Sequence, residues 1–417
     1  MATGPLGPRP STNGKHHPEE GPSAPAWWRE GASPSSNFGA PSVAPPQARS
    51  VAVAHPPSGD PPAPANAPLP RPRGLLSYGW VLSATFIGFP VWWVLGLGAF
   101  IWPLLAFPMG FSLLTRRQPV RFPRFFGLWL LFLVWMLLSA IELDGADRMI
   151  GFVYRASLYI SATVTFLFVY NAPSSVLSAS RLANLMTAFW VVVVAGGLLG
   201  VLAPALEFRS PAEMLLPARL ASNEYVSALV HPASAQVQTF LGYAVPRPKA
   251  PFTYTNEWGS NYALLLPFLM VSWGYLRTRF RRALVAGIVF VSLIPVFYSL
   301  NRILWVSVFV AAIYGGVHLA MRGNTAALRI VAMSIFAMIA VFALPATRSM
   351  VSDRINTPHS NTGRLILAQE AADSVGKSPL LGFGAPRPSV VNPNLPPVGT
   401  QGQFWLILFS HGFPGLI

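Results

Sequence analysis

Cysteine is absent from all 417 residues. That excludes disulfides, thiolate nucleophiles and cysteine metal sites, and it leaves the redox compartment unmarked. Charge is scarce as well: Asp, Glu, Lys and Arg make up 10% of the chain, and 14 acidic residues face 29 basic ones. Neither a GxxxxGK phosphate loop nor an HExxH pair occurs, and the seven histidines are scattered. An ATP-driven mechanism therefore has no sequence basis, and no metal ligand or cofactor is assigned. Residues 1–73 lack an early apolar core and a small-residue cleavage site, so they do not form a signal peptide.

What is present is apolar. The hydrophobic fraction is 53% and the mean hydropathy is +0.47, and several runs reach the roughly 18 to 20 residues that a helix needs to cross a bilayer. These runs are continuous rather than alternating, which favours helices over a barrel. The expected fold is an all-α polytopic membrane protein of about ten or more spans. Segments are expected at 76–92, 95–114, 125–141, 150–170, 184–206, 258–275, 283–300, 302–320 and 327–346, with another opening at 403. That last run holds 15 residues through Ile417, short of a full crossing, so the sequence reads as cut short.

Residues 1–73 hold 18 of the 42 prolines, which predicts a disordered cytoplasmic tail ahead of a membrane domain spanning 74–417. The net charge of +15 would suggest nucleic acid in a soluble protein. Here the arginines fall in alternate short connections, at 71 and 73, 116 to 124, 181, 277 to 282, and 322 with 329. They act as a topology signal that puts the amino terminus in the cytoplasm, and no nucleic-acid partner is expected. Two long connections, 207–257 and 347–402, then share the external face, where chemistry is expected.

Three arginines stand out. Arg302 opens an apolar segment in "YSLNRILWVSVF", Arg155 lies inside "GFVYRASLYISATV", and Arg364 begins the helical pattern of "NTGRLILAQEAADSV". Each has a structural explanation: Arg302 as a headgroup anchor, and Arg155 as the partner of Glu142, Asp144 or Asp147. Alternatively the three converge at one depth on an anion such as a lipid diphosphate, which guanidinium forks match. In the segment 356–384, Leu365, Leu367, Ala368, Ala371, Ala372 and Val375 predict an apolar helical face and Gly376 a stop. In "FTYTNEWGSNYALLLPF", Asn256 and Glu257 sit among aromatic residues, which suits either a saccharide surface or an interfacial belt.

The stretches "TNEWGSNYALLLPFL", "SLNRILWV", "NTGRLILAQEAADSVGKSPLLGFG" and "FWLILFSHGFPGLI" resemble the O-antigen ligase and polymerase family of bacterial envelope glycan enzymes, over roughly 250–417. The resemblance implies a glycosyltransferase bundle of the GT-C type in the bacterial cytoplasmic membrane. It implies inverting, metal-independent transfer of a polyprenyl-diphosphate-linked glycan on the external face, to a glycan or other envelope acceptor. Arg302 and Arg364 would then engage the diphosphate. The His-Asn pair that many relatives carry is absent: "VGTQGQFWLIL" has Thr400, Gln401 and Gln403 instead, and glutamine has no titratable base. Glu257 is the first candidate to take the acceptor proton, with His359, Glu224 and Asp353 behind it. His411 is as readily a packed histidine. A lipid-linked glycan flippase or transporter, or a non-catalytic envelope assembly protein with its own partners, are the alternatives.

Overall fold

A computed structural model describes residues 79–238, 244–276, 278–323 and 359–417, with a few single positions between 328 and 352. The tail 1–73, most of the apolar segment 327–346, Asp353 and the His359 side chain lie outside the described residues. The described chain is mostly helical. Four helices are long and apolar enough to cross a membrane: α5 (Ala146–Tyr170), α6 (Ala179–Leu202), α11 (Arg279–Tyr298) and α12 (Arg302–Met321).

The expected span 76–92 is instead two short helices, α1 (Trp80–Phe86) and α2 (Phe89–Val94). Pro90 supplies no backbone N–H and sits at the start of α2, where a missing donor costs nothing. At the Gly88 junction an added Cβ would come within 2.4 Å of the Ala84 carbonyl oxygen. The break therefore packs too tightly for any side chain. Two further apolar helices, α3 (Ile101–Leu114) and α4 (Phe126–Leu138), are followed by a 3-10 turn at Ser139–Glu142.

The connection 207–257 is structured. It contains the short helices α7 (Pro211–Met214), α8 (Ala218–Ala221) and α9 (Glu224–Val230), then a hairpin of β1 (Ala235–Gln238) paired antiparallel with β2 (Val245–Pro248). Helix α10 (Thr255–Tyr275) follows. Beyond α12 come α13 (His359–Val375) and the nine-residue α14 (Gln403–His411).

The core lies between α6 and α10. Phe189, Trp190, Val193 and Val194 of α6 meet Trp258, Tyr262, Leu265 and Leu269 of α10, all buried. Gly197 makes the approach possible, because a Cβ there would lie 2.5 Å from the Trp258 ring. Two polar groups inside this layer are satisfied: Trp258 Nε1 donates to Val193 O at 2.8 Å, and the Tyr262 hydroxyl bonds Ser292 Oγ of α11 at 2.7 Å, whereas Trp190 Nε1 is buried with no hydrogen-bond partner among the described residues. By contrast, only 17% of the apolar window of α11 and 11% of that of α12 is buried within the chain. Such continuous exposed apolar surface is what a lipid solvent accepts and water does not.

Helix α13 buries most of the face its apolar residues predict, shifted to take in two polar residues. Leu367, Glu370, Ala371, Ser374 and Val375 are buried, at the i, i+3, i+4, i+7, i+8 spacing, whereas Leu365 and Ala372 are exposed. The two polar members are paired: Glu370 accepts from Ser389 Oγ at 2.5 Å and Val390 N at 2.8 Å, and Ser374 accepts from Arg387 at 3.0 Å. Arg387 also lies over the Phe383 ring, 4.6 Å from its centroid.

Candidate functional site

The site is built around the first half of α5. Its N-terminal turn is fixed by the Arg148 guanidinium, which donates to Asp144 and to the carbonyls of Phe383, Ala385 and Pro386. Asp147 in the same turn accepts from Asn223 at 3.1 Å, and Asn223 also caps α9 by accepting from Val226 N. That link carries Tyr225 of α9 against Tyr154 of α5, with ring centroids 6.1 Å apart and nearly perpendicular.

Arg155 follows Tyr154. The helix begins at Ala146, four residues earlier than expected, so Arg155 lies about 14 Å along its axis at 1.5 Å per residue. It is half-buried, and among the described residues it has neither an ion pair nor a hydrogen bond. The acidic turn expected as its structural partner is otherwise committed, Asp144 to Arg148 and Asp147 to Asn223. In place of carboxylates, Arg155 has Tyr225, Tyr159, Tyr254 and Tyr154 within electrostatic range. A charge in a membrane helix with no protein counter-ion calls for water or an anionic ligand.

Glu257 lies beside this ring, one residue before the apolar stretch of α10. Its Oε2 accepts from Thr253 N at 3.2 Å and Tyr254 N at 3.3 Å, so the carboxylate caps its own helix. Oε1 has no protein hydrogen bond among the described residues. Glu257 is exposed as a residue, yet the protein around its carboxyl desolvates it and pushes it above the ordinary range, against the opposing effect of those two N–H groups and of Lys249. The Tyr225 hydroxyl is pushed up to about 12 by burial, so it stays protonated and can donate.

A cavity of about 240 Å³ opens on Glu257 and is walled by Trp93, Trp102, Phe252, Tyr154 and Asn261 among others. Tyr154 lines the cavity and lies within electrostatic range of Arg155. The surroundings of Arg155 thus adjoin an aromatic pocket with a carboxylate at its wall.

The remaining expected residues are placed as follows. Asn256 is exposed in the first turn of α10 next to Glu257. Arg302 heads α12 after Asn301, which caps that helix by accepting from Leu304 N and packs against Gly259 of α10. Arg364 is exposed on α13, and His359 opens the same helix. Gln401 donates to Thr400 Oγ1 at 3.1 Å, whereas its neighbour Gln403 reaches α5 and donates to the Tyr159 hydroxyl at 2.8 Å.

Sequence reasoning missed the tyrosines 154, 159 and 225 and the contact of Gln403 with α5, whereas the packed reading of His411 agrees with the structure. His411 is buried, bonds Ser139 Oγ through Nδ1 at 2.8 Å and lies within electrostatic range of Arg155. Among the described residues no group of three His, Asp or Glu side chains is arranged to hold a metal ion. Compared with family models, curated proteins and solved structures, the chain matches none of them.

Proposed function

We propose that this chain is a polytopic membrane glycosyltransferase that transfers or polymerises a polyprenyl-diphosphate-linked glycan on the external face of the bacterial cytoplasmic membrane. The observation that carries the reading is Arg155, a half-buried guanidinium on a long apolar helix that has no carboxylate partner among the described residues, has four tyrosines within electrostatic range and adjoins an aromatic cavity lined in part by Glu257. Polyprenyl chains belong in lipid, so their diphosphate lies near the membrane surface, the level at which Arg155 needs an anion.

The chemistry follows from the two compartments. An acceptor hydroxyl attacks the anomeric carbon of the donor sugar from the face opposite the diphosphate, and the bond from that carbon to the diphosphate oxygen breaks. The configuration inverts in a single displacement. Glu257 Oε1 takes the hydroxyl proton, which its raised carboxyl suits. Arg155 and the Tyr225 and Tyr254 hydroxyls meet the negative charge that grows on the departing diphosphate. Aromatic walls such as Trp93 and Trp102 cover the apolar faces of a sugar ring, while Asn261 offers it an amide. Arg302, Arg364, Asn256 and Gln401 are further donor or acceptor contacts in this reading, with His359 as a second base.

The test is transfer by the purified full-length protein in lipid nanodiscs supplied with polyprenyl-diphosphate glycans and candidate acceptors. Mass spectrometry would identify the product, and the configuration of its new linkage would be read by NMR. An inverted product formed in the presence of a chelator is expected. Donor bound without any product would instead mark a carrier, and a retained configuration would overturn the single-displacement mechanism.

A further inference from the structure

The other end of α5 carries a feature that glycan transfer does not use. Residues 115–125 join α3 to α4 and contain Arg116, Arg117, Arg121 and Arg124 with no acidic residue among them. Asn171, buried just past the end of α5, holds this link in place. Its side chain accepts from Arg121 N at 2.7 Å and donates to Arg121 O at 2.9 Å, while the Arg116 guanidinium donates to Asn171 O at 3.3 Å. Arg117, Arg121 and Arg124 form no ion pair with a carboxylate among the described residues.

Alongside the link, a groove of about 350 Å³ runs between α4 and α5, and Arg124 is the one charged residue of its lining. Phe126 and Phe166 stack at 6.1 Å across it, and Trp129 Nε1 donates to Thr163 Oγ1 at 2.8 Å. The indole N–H is therefore satisfied from within, and the aromatic surfaces are left as an apolar wall. The groove is a slot fit for a hydrocarbon chain with an exposed cation at its rim.

We propose that this groove binds one anionic phospholipid of the surrounding leaflet, with an acyl chain along Phe126, Trp129 and Phe166 and its phosphate on Arg124. The proposal rests on the membrane reading of the helices but not on glycan transfer. A zwitterionic lipid carries its own ammonium beside the phosphate, whereas an anionic one brings net charge that Arg124 and the neighbouring Arg121 and Arg117 neutralise. A preference of about fivefold per engaged arginine is expected. Asn171 lies about 24 Å along α5 from Arg155 at 1.5 Å per residue, so this lipid and the glycan donor occupy opposite ends of the helix.

The test uses the full-length protein in phosphatidylcholine nanodiscs doped with brominated phosphatidylglycerol or brominated phosphatidylcholine. Quenching of Trp129 is isolated as the difference between the parent and Trp129→Phe. The expected result is half-quenching at a several-fold lower fraction of brominated phosphatidylglycerol, with that preference lost in Arg124→Gln. Native mass spectrometry of the parent and Arg124→Gln gives a second readout that leaves Trp129 intact, and phosphatidylglycerol should be retained only by the parent. Equal quenching by both lipids, or an unquenched Trp129 while other tryptophans respond, would overturn the proposal. If no tryptophan responds to either lipid, the membrane reading itself is wrong.

Discussion

Arg148 and Arg155 lie two turns apart on α5, yet they occupy opposite kinds of environment. Arg148 spends its donors on Asp144 and three carbonyls of the 383–386 segment, and so fastens the C-terminal connection to the helix start. Arg155 is ringed by tyrosines, and among the described residues it has no carboxylate partner. The difference shows how one residue type on one helix divides between architecture and chemistry. A guanidinium whose donors all end on the protein stabilises a loop, and one left half-buried without a partner is held ready for an anion.

The largest effect expected from breaking this contrast is at Arg155. Arg155→Gln should lower transfer by about 10²- to 10³-fold, the usual cost of losing one fixed donor to a developing anion, with little change in melting temperature. Glu257→Gln comes next, with a loss of about 10²-fold if the carboxylate is the base. Its pH profile is the sharper check. The Glu257 carboxyl is held above the ordinary range, and only its ionised form accepts a proton, so the rate should rise with pH through a limb displaced upward from 4.5. The variant should lose that limb. Ionisation of a carboxyl raised in this way costs stability, so Glu257→Gln should be slightly more heat-resistant than the parent at neutral pH and indistinguishable from it in acid.

Arg148→Ala should show the reverse pattern. Removing a charged donor from several partly buried acceptors costs about 2 to 3 kcal/mol, read as a lower melting temperature and faster proteolysis of residues 380–400. Any fall in transfer should track the unfolded fraction. The smallest effect is at Glu370. Burial raises its carboxyl, but hydrogen bonds from Ser389, Val390 and Val391 and the Arg387 charge outweigh this and hold it below the ordinary range. Its contribution is therefore present above about the unfolded value and lost as pH falls through the folded one. Glu370→Gln should lose stability at neutral pH and little in acid, where the parent has already lost it.

Much of the bundle can be read from the chain because its signal is local. The apolar run expected at 184–206 carries its own length and composition and falls on a helix at Ala179–Leu202, and the segment expected at 302–320 starts where α12 does, at Arg302. The break between α1 and α2 was harder to see, since Gly88 and Pro90 interrupt a run that is apolar throughout. Arg155 was visible as a charge inside an apolar segment, but its ring was not. Tyr154 and Tyr159 read as ordinary membrane aromatics, and Tyr225 reaches them only through the Asn223 to Asp147 contact, 76 residues apart in sequence. The apolar part of the buried face of α13 was legible, but its polar members were not: Glu370 and Ser374 look like surface residues until Ser389 and Arg387 from the next connection satisfy them.

The central claim is that Arg155, with no ion pair or hydrogen bond among the described residues, takes a ligand where Arg148 does not. It is tested most directly by titrating a polyprenyl-diphosphate glycan into nanodisc-embedded parent, Arg155→Gln and Arg148→Gln proteins, with binding and melting temperature followed together. The account predicts that Arg155→Gln loses donor affinity by at least tenfold at an unchanged melting temperature, and that the folded fraction of Arg148→Gln binds like the parent. Equal donor affinity in the parent and Arg155→Gln would contradict it.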